Sequence, residues 1–289
     1  MSTALVLAGG GAKGSYQANI ASKLYRRKNV VAVVGVSAGA LNGSVLSQGK
    51  PDRLEKIWES LRLKDVWSGG HGFARYIRMA LGSRLGLYTP KPLFKRLEKE
   101  FNPNEVEVPF EAGAVSLKNG RYVPFSISPN KSYSQREVEK ARKFVVASSA
   151  VPIGVEPVDV EGETLADGGI RNIAPVKSAI DYEPNEIIGV FNSRTDRPIS
   201  PQENPSHVLE VGEKAVRIIL NETLRADVAA AKKVNKAIEK AGGDLPGLSK
   251  IPITTIEPSE DLGSGKDFSK KAYERRQRIA EKDWENFKQ

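Results

Sequence analysis

The chain has 289 residues, 39% hydrophobic and 27% charged, a globular balance with enough apolar material for a buried core. It has no cysteine, which excludes disulfides, thiolate metal sites and a cysteine nucleophile. The net charge of +9 is uneven: residues 1–150 hold 24 Lys/Arg against 11 Asp/Glu, whereas residues 151–209 hold 4 against 10.

No apolar run approaches the roughly 18 residues that span a bilayer. The start, Met1-Ser2-Thr3-Ala4-Leu5-Val6-Leu7, carries neither a basic leader nor a long apolar segment, so it reads as a strand and not as a signal peptide. The expected location is cytoplasmic, with peripheral contact at a membrane.

In chain order, Leu5–Ala8 is a short buried strand ending in glycines, and Ser15–Arg27 is a helix with a basic end. Val30–Val34 is a second buried strand and Ala38–Leu46 a small-residue helix. Strand, helix, strand, helix within 50 residues predicts an α/β fold with a mostly parallel central sheet. Further strands are expected at Glu111–Ser116, Tyr122–Ser128, Thr164–Ala166, Glu186–Phe191 and Ile251–Ile256. Further helices are expected at Ser134–Val145, Glu210–Lys240 and Lys270–Phe287. In the second of these, Val211, Ala215, Ile218 and Ile219 fall at helical spacing, and Gly242–Gly247 is a breaker cluster. No repeat or linker divides the chain. A single domain over 1–289 is expected, with its core in about 1–260 and a charged helix over about 269–289.

Gly35-Val36-Ser37-Ala38-Gly39 follows an apolar strand and precedes a helix. In that context G-x-S-x-G is a nucleophile elbow. The serine occupies a sharp turn, small neighbours at Gly35 and Gly39 avoid collision, and the hydroxyl stands at a helix N-terminus. A plain glycine-rich turn has the same spelling.

Gly9-Gly10-Gly11-Ala12-Lys13-Gly14 follows the first strand. A dinucleotide-binding fingerprint requires an acid ending the second strand, and Val34-Gly35 supplies none. A Walker A loop requires lysine and Ser/Thr after the last glycine, but Ser15-Tyr16 follow. The remaining chemical reading is an oxyanion hole of glycine N–H groups at the same sheet edge as the elbow.

A Ser-His-Asp triad needs a histidine, and the chain has only His71 and His207. The order Ser37, Asp167, His207 is compatible with such a triad. The alternative is that Asp167, in Thr164-Leu165-Ala166-Asp167-Gly168-Gly169, deprotonates serine directly. That requires a carboxyl raised from its reference pKa near 4 by a partly apolar site.

The glycine loop Gly9–Gly14, the elbow Gly35–Gly39 and Asp167-Gly168-Gly169 together resemble the patatin-like phospholipases. So do Ala147–Ile153 with Pro157-Val158, Tyr88–Leu93, and Asn172 with Pro175. The resemblance covers about residues 1–190. It implies a patatin-like three-layer α/β sandwich and a Ser-Asp dyad hydrolysing acyl esters of phospholipids or related lipids, without metal or cofactor. Ser37 would be the nucleophile and Asp167 the base. The Gly10 and Gly11 amides would hold the oxyanion, with Gly9 permitting the turn. Lys13, Gly14, Gly35, Gly39, Gly168 and Gly169 complete the motifs. Val155-Glu156 before Pro157 departs from the family pattern and bears on the shape of the acyl pocket.

Residues 62–99 hold 9 Lys/Arg and 2 acids, interleaved with aromatic and aliphatic residues. Arg75–Leu87 can form a basic amphipathic helix that docks on an anionic membrane or lids the site. Nucleic acid is not expected, because base-stacking aromatics on strands are not evident. A non-lipid carboxylesterase using His207 and a catalytically silent membrane-binding relative are the alternatives.

Overall fold

A computed structural model describes residues 1–69, 85–196, 204–206, 208–240 and 250–288. The chain opens with β1 (Ser2–Leu7), α1 (Gly14–Arg27), β2 (Asn29–Val36) and α2 (Ala38–Leu46). Three helices follow: α3 (Pro51–Ser60), α4 (Leu63–Val66) and α5 (Lys91–Glu100). Then come β3 (Phe110–Ser116), β4 (Tyr122–Ile127), α6 (Gln135–Ser148), β5 (Val158–Val160) and β6 (Glu163–Asp167). The remainder is α7 (Val176–Ile180), β7 (Glu186–Val190), α8 (Val208–Lys240), β8 (Ile253–Ile256) and α9 (Lys270–Lys288).

The strands form one mixed sheet in which β2–β1–β7–β8 are mutually parallel. Strand residues alternate between faces, and the alternation sorts the core into two layers. Leu5 and Leu7 of β1 pack with α1, α2, α3, α6 and α9. Ala4 and Val6 pack on the other face with Val176 and Ala179 of α7 and Leu224 and Val228 of α8. The result is the three-layer α/β sandwich expected from the sequence.

The far side of the sheet departs from parallel pairing, and this departure positions the site. β4 fills one edge of β3 over its whole length, antiparallel. The other edge is shared end to end. β2 runs parallel to β3 and stops with Val36 opposite Gly113. β6 runs antiparallel and stops with Asp167 opposite Ala114. The two strands therefore meet head to head, and the residues leaving them are Ser37 and Asp167.

Several expectations differ in detail. α3, α4, α5 and the short β5 were not foreseen. Arg75–Leu87 falls mostly outside the described residues, as do His71, His207 and Gly242–Gly247; Leu85–Leu87 are not helical. The α8 stripe picked out by spacing points outward: Val211, Ile218 and Ile219 are exposed, whereas Leu224 and Val228 pack on the sheet. Period alone gives an amphipathic face, and the sheet chose the neighbouring one.

The C-terminal helix is part of the core and not an appendage. Ala272, Ile279, Ala280 and Trp284 are buried, and Tyr16 donates to Asp283 at 2.9 Å. Arg276, 1% exposed, has no carboxylate partner among the described residues. It donates to the carbonyls of Leu262, Ala12, Asp267 and Ser264 at 2.7–3.0 Å. Burial lowers its pKa to about 10. Arg276→Met is expected to leave four carbonyls short of a donor and to lower unfolding free energy by about 3 kcal/mol or more, read from the denaturant midpoint.

Candidate active site

Ser37 leaves β2 with φ 58° and ψ −125°, a conformation that costs a non-glycine residue about 1–3 kcal/mol. Its surroundings hold it there. Its N–H donates to Ser148 Oγ at 3.0 Å, and its carbonyl accepts from Ala40 and Leu41 at the start of α2. A Cβ on Gly39 would lie 1.8 Å from the Leu7 carbonyl oxygen, so the elbow closes against β1 only with glycine there. Gly35 touches Gly39 with the same consequence.

Ser148 closes the gap where β2 departs from β3. Its hydroxyl donates to Gly113 O at 2.6 Å while accepting from Ser37 N–H. One side chain thus satisfies two backbone groups that the ladder abandons, as buried groups require. Sequence reading noted its stretch as family-like but assigned it no role.

Asp167 is 1% exposed. Its N–H donates to Ala150 O at 3.0 Å. Its Oδ1 accepts from Gly169 N–H at 2.8 Å, and the Ser37 hydroxyl lies near the carboxylate. Burial pushes its pKa up to about 7, against the Gly169 N–H and the Ser37 hydroxyl, which favour the charged form. Gly168 lies where a Cβ would meet Gly113 O. Past this turn, Asp227 of α8 accepts from the N–H groups of Ile173 and Ala174 at 2.9 and 3.1 Å. Burial raises the Asp227 pKa to about 6.

The glycine loop lies across the elbow, with Gly9 against the Ser37 side chain. Gly11 has φ +57°, and a Cβ there would lie 2.5 Å from Gly265 O. No acceptor among the described residues meets the N–H of Gly10 or Gly11. The loop's carbonyls are pulled the other way. Asn192 Nδ2 donates to Ala8 O and Gly9 O, and Gln17 Nε2 donates to Ala8 O and Val190 O. Gln17 is held by Asn42, and Asn42 by Trp58 Nε1 at 2.7 Å. Gly14, at the start of α1, packs against Trp58 and Ala38. None of Asn192, Gln17, Asn42 and Asp227 carried a sequence signal, because their contacts are long-range.

A cavity of about 670 Å³ opens over Ser37, Asp167 and Gly9–Gly11. One part is apolar, with Leu41, Val45, Trp58 and Leu97. Another is polar, with Lys13, Arg217 and Lys266. Burial and then the Arg217 charge lower the Lys13 pKa to about 8. Val155 lines the cavity beside Tyr88, whose N–H donates to Gly154 O. The stretches Tyr88–Leu93 and Ala147–Ile153 are thus brought together. Among the described residues no cluster of three or more His, Asp or Glu is placed to hold a metal.

The family model described as Patatin-like phospholipase matches residues 5–180. The chain belongs to the patatin-like phospholipase family. Related proteins include an uncharacterised NTE family protein of Mycobacterium tuberculosis, strain H37Rv, and one of Mycobacterium bovis. Each is 25% identical over 235 residues, which is 80% of this chain and 59% of the relative. The chain thus spans less than two thirds of the length of these relatives. The crystal structure of VipD from Legionella pneumophila aligns over 97% of this chain and 67% of that one, at 13% identity and a TM-score of 0.40.

In this patatin-like fold the Asp167 charge is a burden at neutral pH. A folded pKa near 7 against about 4 unfolded means a contribution that is favourable below pH 4 and lost as pH rises through 7. Asp167→Asn is expected to leave stability little changed at pH 4 and to raise it by on the order of 4 kcal/mol at pH 8, measured by urea unfolding at both values.

Proposed function

We propose that this patatin-like chain is a lipid acyl hydrolase of the phospholipase A or lysophospholipase type, acting through an acyl-enzyme on Ser37. The observation that carries the reading is that Ser37 and the buried Asp167 leave β2 and β6 where the two strands end against neighbouring residues of β3, with the Ser37 hydroxyl near enough to favour the charged carboxylate. In a triad an imidazole stands between those two groups. The nearness of the Ser37 hydroxyl to the Asp167 carboxylate supports a dyad over the esterase alternative with His207.

In this reading Asp167 accepts the hydroxyl proton as Ser37 Oγ attacks the ester carbonyl carbon. The carbonyl oxygen becomes the tetrahedral oxyanion and takes hydrogen bonds from the Gly10 and Gly11 N–H groups. The N–H of Ala38, at the start of α2, is a further donor beside the nucleophile. Asp167 returns the proton to the departing alcohol. It then takes a proton from the water that attacks the acyl-enzyme and returns that proton to Ser37 Oγ as the fatty acid leaves. A carboxyl near pKa 7 suits this work, because it is largely ionised at neutral pH yet basic enough to hold a proton.

Lipid-ester substrates follow from the family and from the apolar cavity wall. Peripheral contact with anionic lipid is proposed from the basic excess of residues 1–150. No helix among the described residues is long and apolar enough to cross a membrane.

With mixed phospholipid vesicles, the parent protein is expected to release fatty acid at least about 10³-fold faster than Ser37→Ala or Asp167→Asn. His207→Ala is expected to stay near parent level. The kcat/KM profile is expected to rise toward a limb near pH 7, and a limb near pH 4 counts against Asp167 as base. Vesicle sedimentation is expected to weaken as salt rises.

A further inference from the structure

The apolar lining of the cavity includes residues of α2, α3 and α5. It runs along α2, away from Ser37 at that helix's N-terminus. Leu41 and Val45 of α2 line it at a spacing of one turn. Leu54 and Ile57 of α3 and Leu93 and Leu97 of α5 line its other sides. Two cross-links set the alignment. Trp58 Nε1 donates to Asn42 Oδ1 at 2.7 Å, tying α3 to α2 a little over one turn past Ser37. Gln48 Nε2 donates to Glu100 O at 2.9 Å, tying the end of α5 to the residues just past α2.

At that far end the lining changes character. Glu100 continues the buried face of α5 made by Leu93 and Leu97, but it carries a charge and its side chain is 4% exposed. Arg53 grips it with two hydrogen bonds, Nε to Oε2 at 2.7 Å and Nη2 to Oε1 at 2.6 Å. Arg96 Nε lies 3.1 Å from Oε1, and Arg96 and Glu100 both line the cavity. A terminal methyl offers nothing to this cluster. Moving further means separating a bidentate pair whose carboxylate is buried, which is unfavourable.

We propose that the Arg53–Glu100–Arg96 cluster is the stop of an acyl-chain arm measuring about twelve carbons from Ser37, which makes the protein selective for acyl groups of medium length. The nine residues of α2 span about 14 Å at about 1.5 Å each. An extended alkyl chain advances about 1.25 Å per carbon, the projection of a C–C bond of about 1.5 Å at a tetrahedral angle. The quotient is eleven or twelve carbons. This selectivity rests on the hydrolase reading for its chemistry, but the arm exists whether or not Ser37 reacts.

The test is a competition among 4-nitrophenyl esters from butanoyl to octadecanoyl in detergent micelles of fixed composition, with released acids counted together by mass spectrometry. For the parent, kcat/KM is expected to climb about fourfold per methylene, the transfer gain of a CH₂, up to about twelve carbons and then to level or fall. Val45→Phe, which narrows the arm two turns from Ser37, is expected to move the maximum several carbons shorter. The double variant Arg53→Ala with Glu100→Ala removes both partners together and is expected to move it longer. Thermal unfolding checks that both are folded. A climb without a break to eighteen carbons, or one maximum shared by all three proteins, overturns the proposal. Failure of the parent to exceed Ser37→Ala on the butanoyl ester would sink the hydrolase reading alone. Calorimetry on Ser37→Ala then decides the arm: dodecanoate binding at least as tightly as hexadecanoate supports the stop, and hexadecanoate binding tenfold or more tighter overturns it.

Discussion

A carboxylate at 1% exposure, with no cation paired to it among the described residues, is the constraint on which the rest of this site depends. Transfer of an ionised carboxyl out of water is costly, and Asp167 offsets that cost in part with the Gly169 N–H and the nearby Ser37 hydroxyl. Its raised proton affinity is the outcome of that burial. The arrangement depends on β3 accepting two strands on one edge. β2 and β6 end against Gly113 and Ala114, and Ser148 takes up the backbone groups left between them.

The oxyanion side follows a complementary logic. The Gly10 and Gly11 N–H groups face no acceptor, while the loop's carbonyls are drawn away by Asn192 and Gln17. Behind the loop, Ala12 N–H donates to Gly265 O at 2.7 Å and Ala12 O accepts from Arg276. The C-terminal helix thus supports the loop that begins the chain, and its charged sequence conceals a buried role. Arg276 saturates carbonyls and so works as a cross-link more than as a charge.

Much of this was legible in the residues. The apolar runs around Leu5–Leu7 and Val30–Val34 are strands because buried β-branched and aliphatic residues between turn signals have few other solutions. The α2 boundaries matched expectation, as small residues after a strained serine leave little latitude. The helices between Pro51 and Glu100 were missed because their apolar positions are sparse among charges, and charge density reads as solvated surface. Glu100 is the sharpest case. Its carboxylate looks like any exposed acid in Leu97-Glu98-Lys99-Glu100, and the bidentate partner that accompanies its burial, Arg53, is far away in sequence.

The sequence by itself determined the fold class, the elbow, the glycine loop and the aspartate turn, since each is a local pattern whose steric or periodic requirement is written within a few consecutive residues. Tertiary structure decided that Ser37 and Asp167 come together where β2 and β6 end, and that Ser148 spans the gap between strands. It also decided which face of α8 meets the sheet. These are outcomes of strand order and helix packing between residues tens to hundreds of positions apart. Desolvation, which sets the Asp167 pKa, belongs to the assembled core and to no stretch of the sequence taken alone.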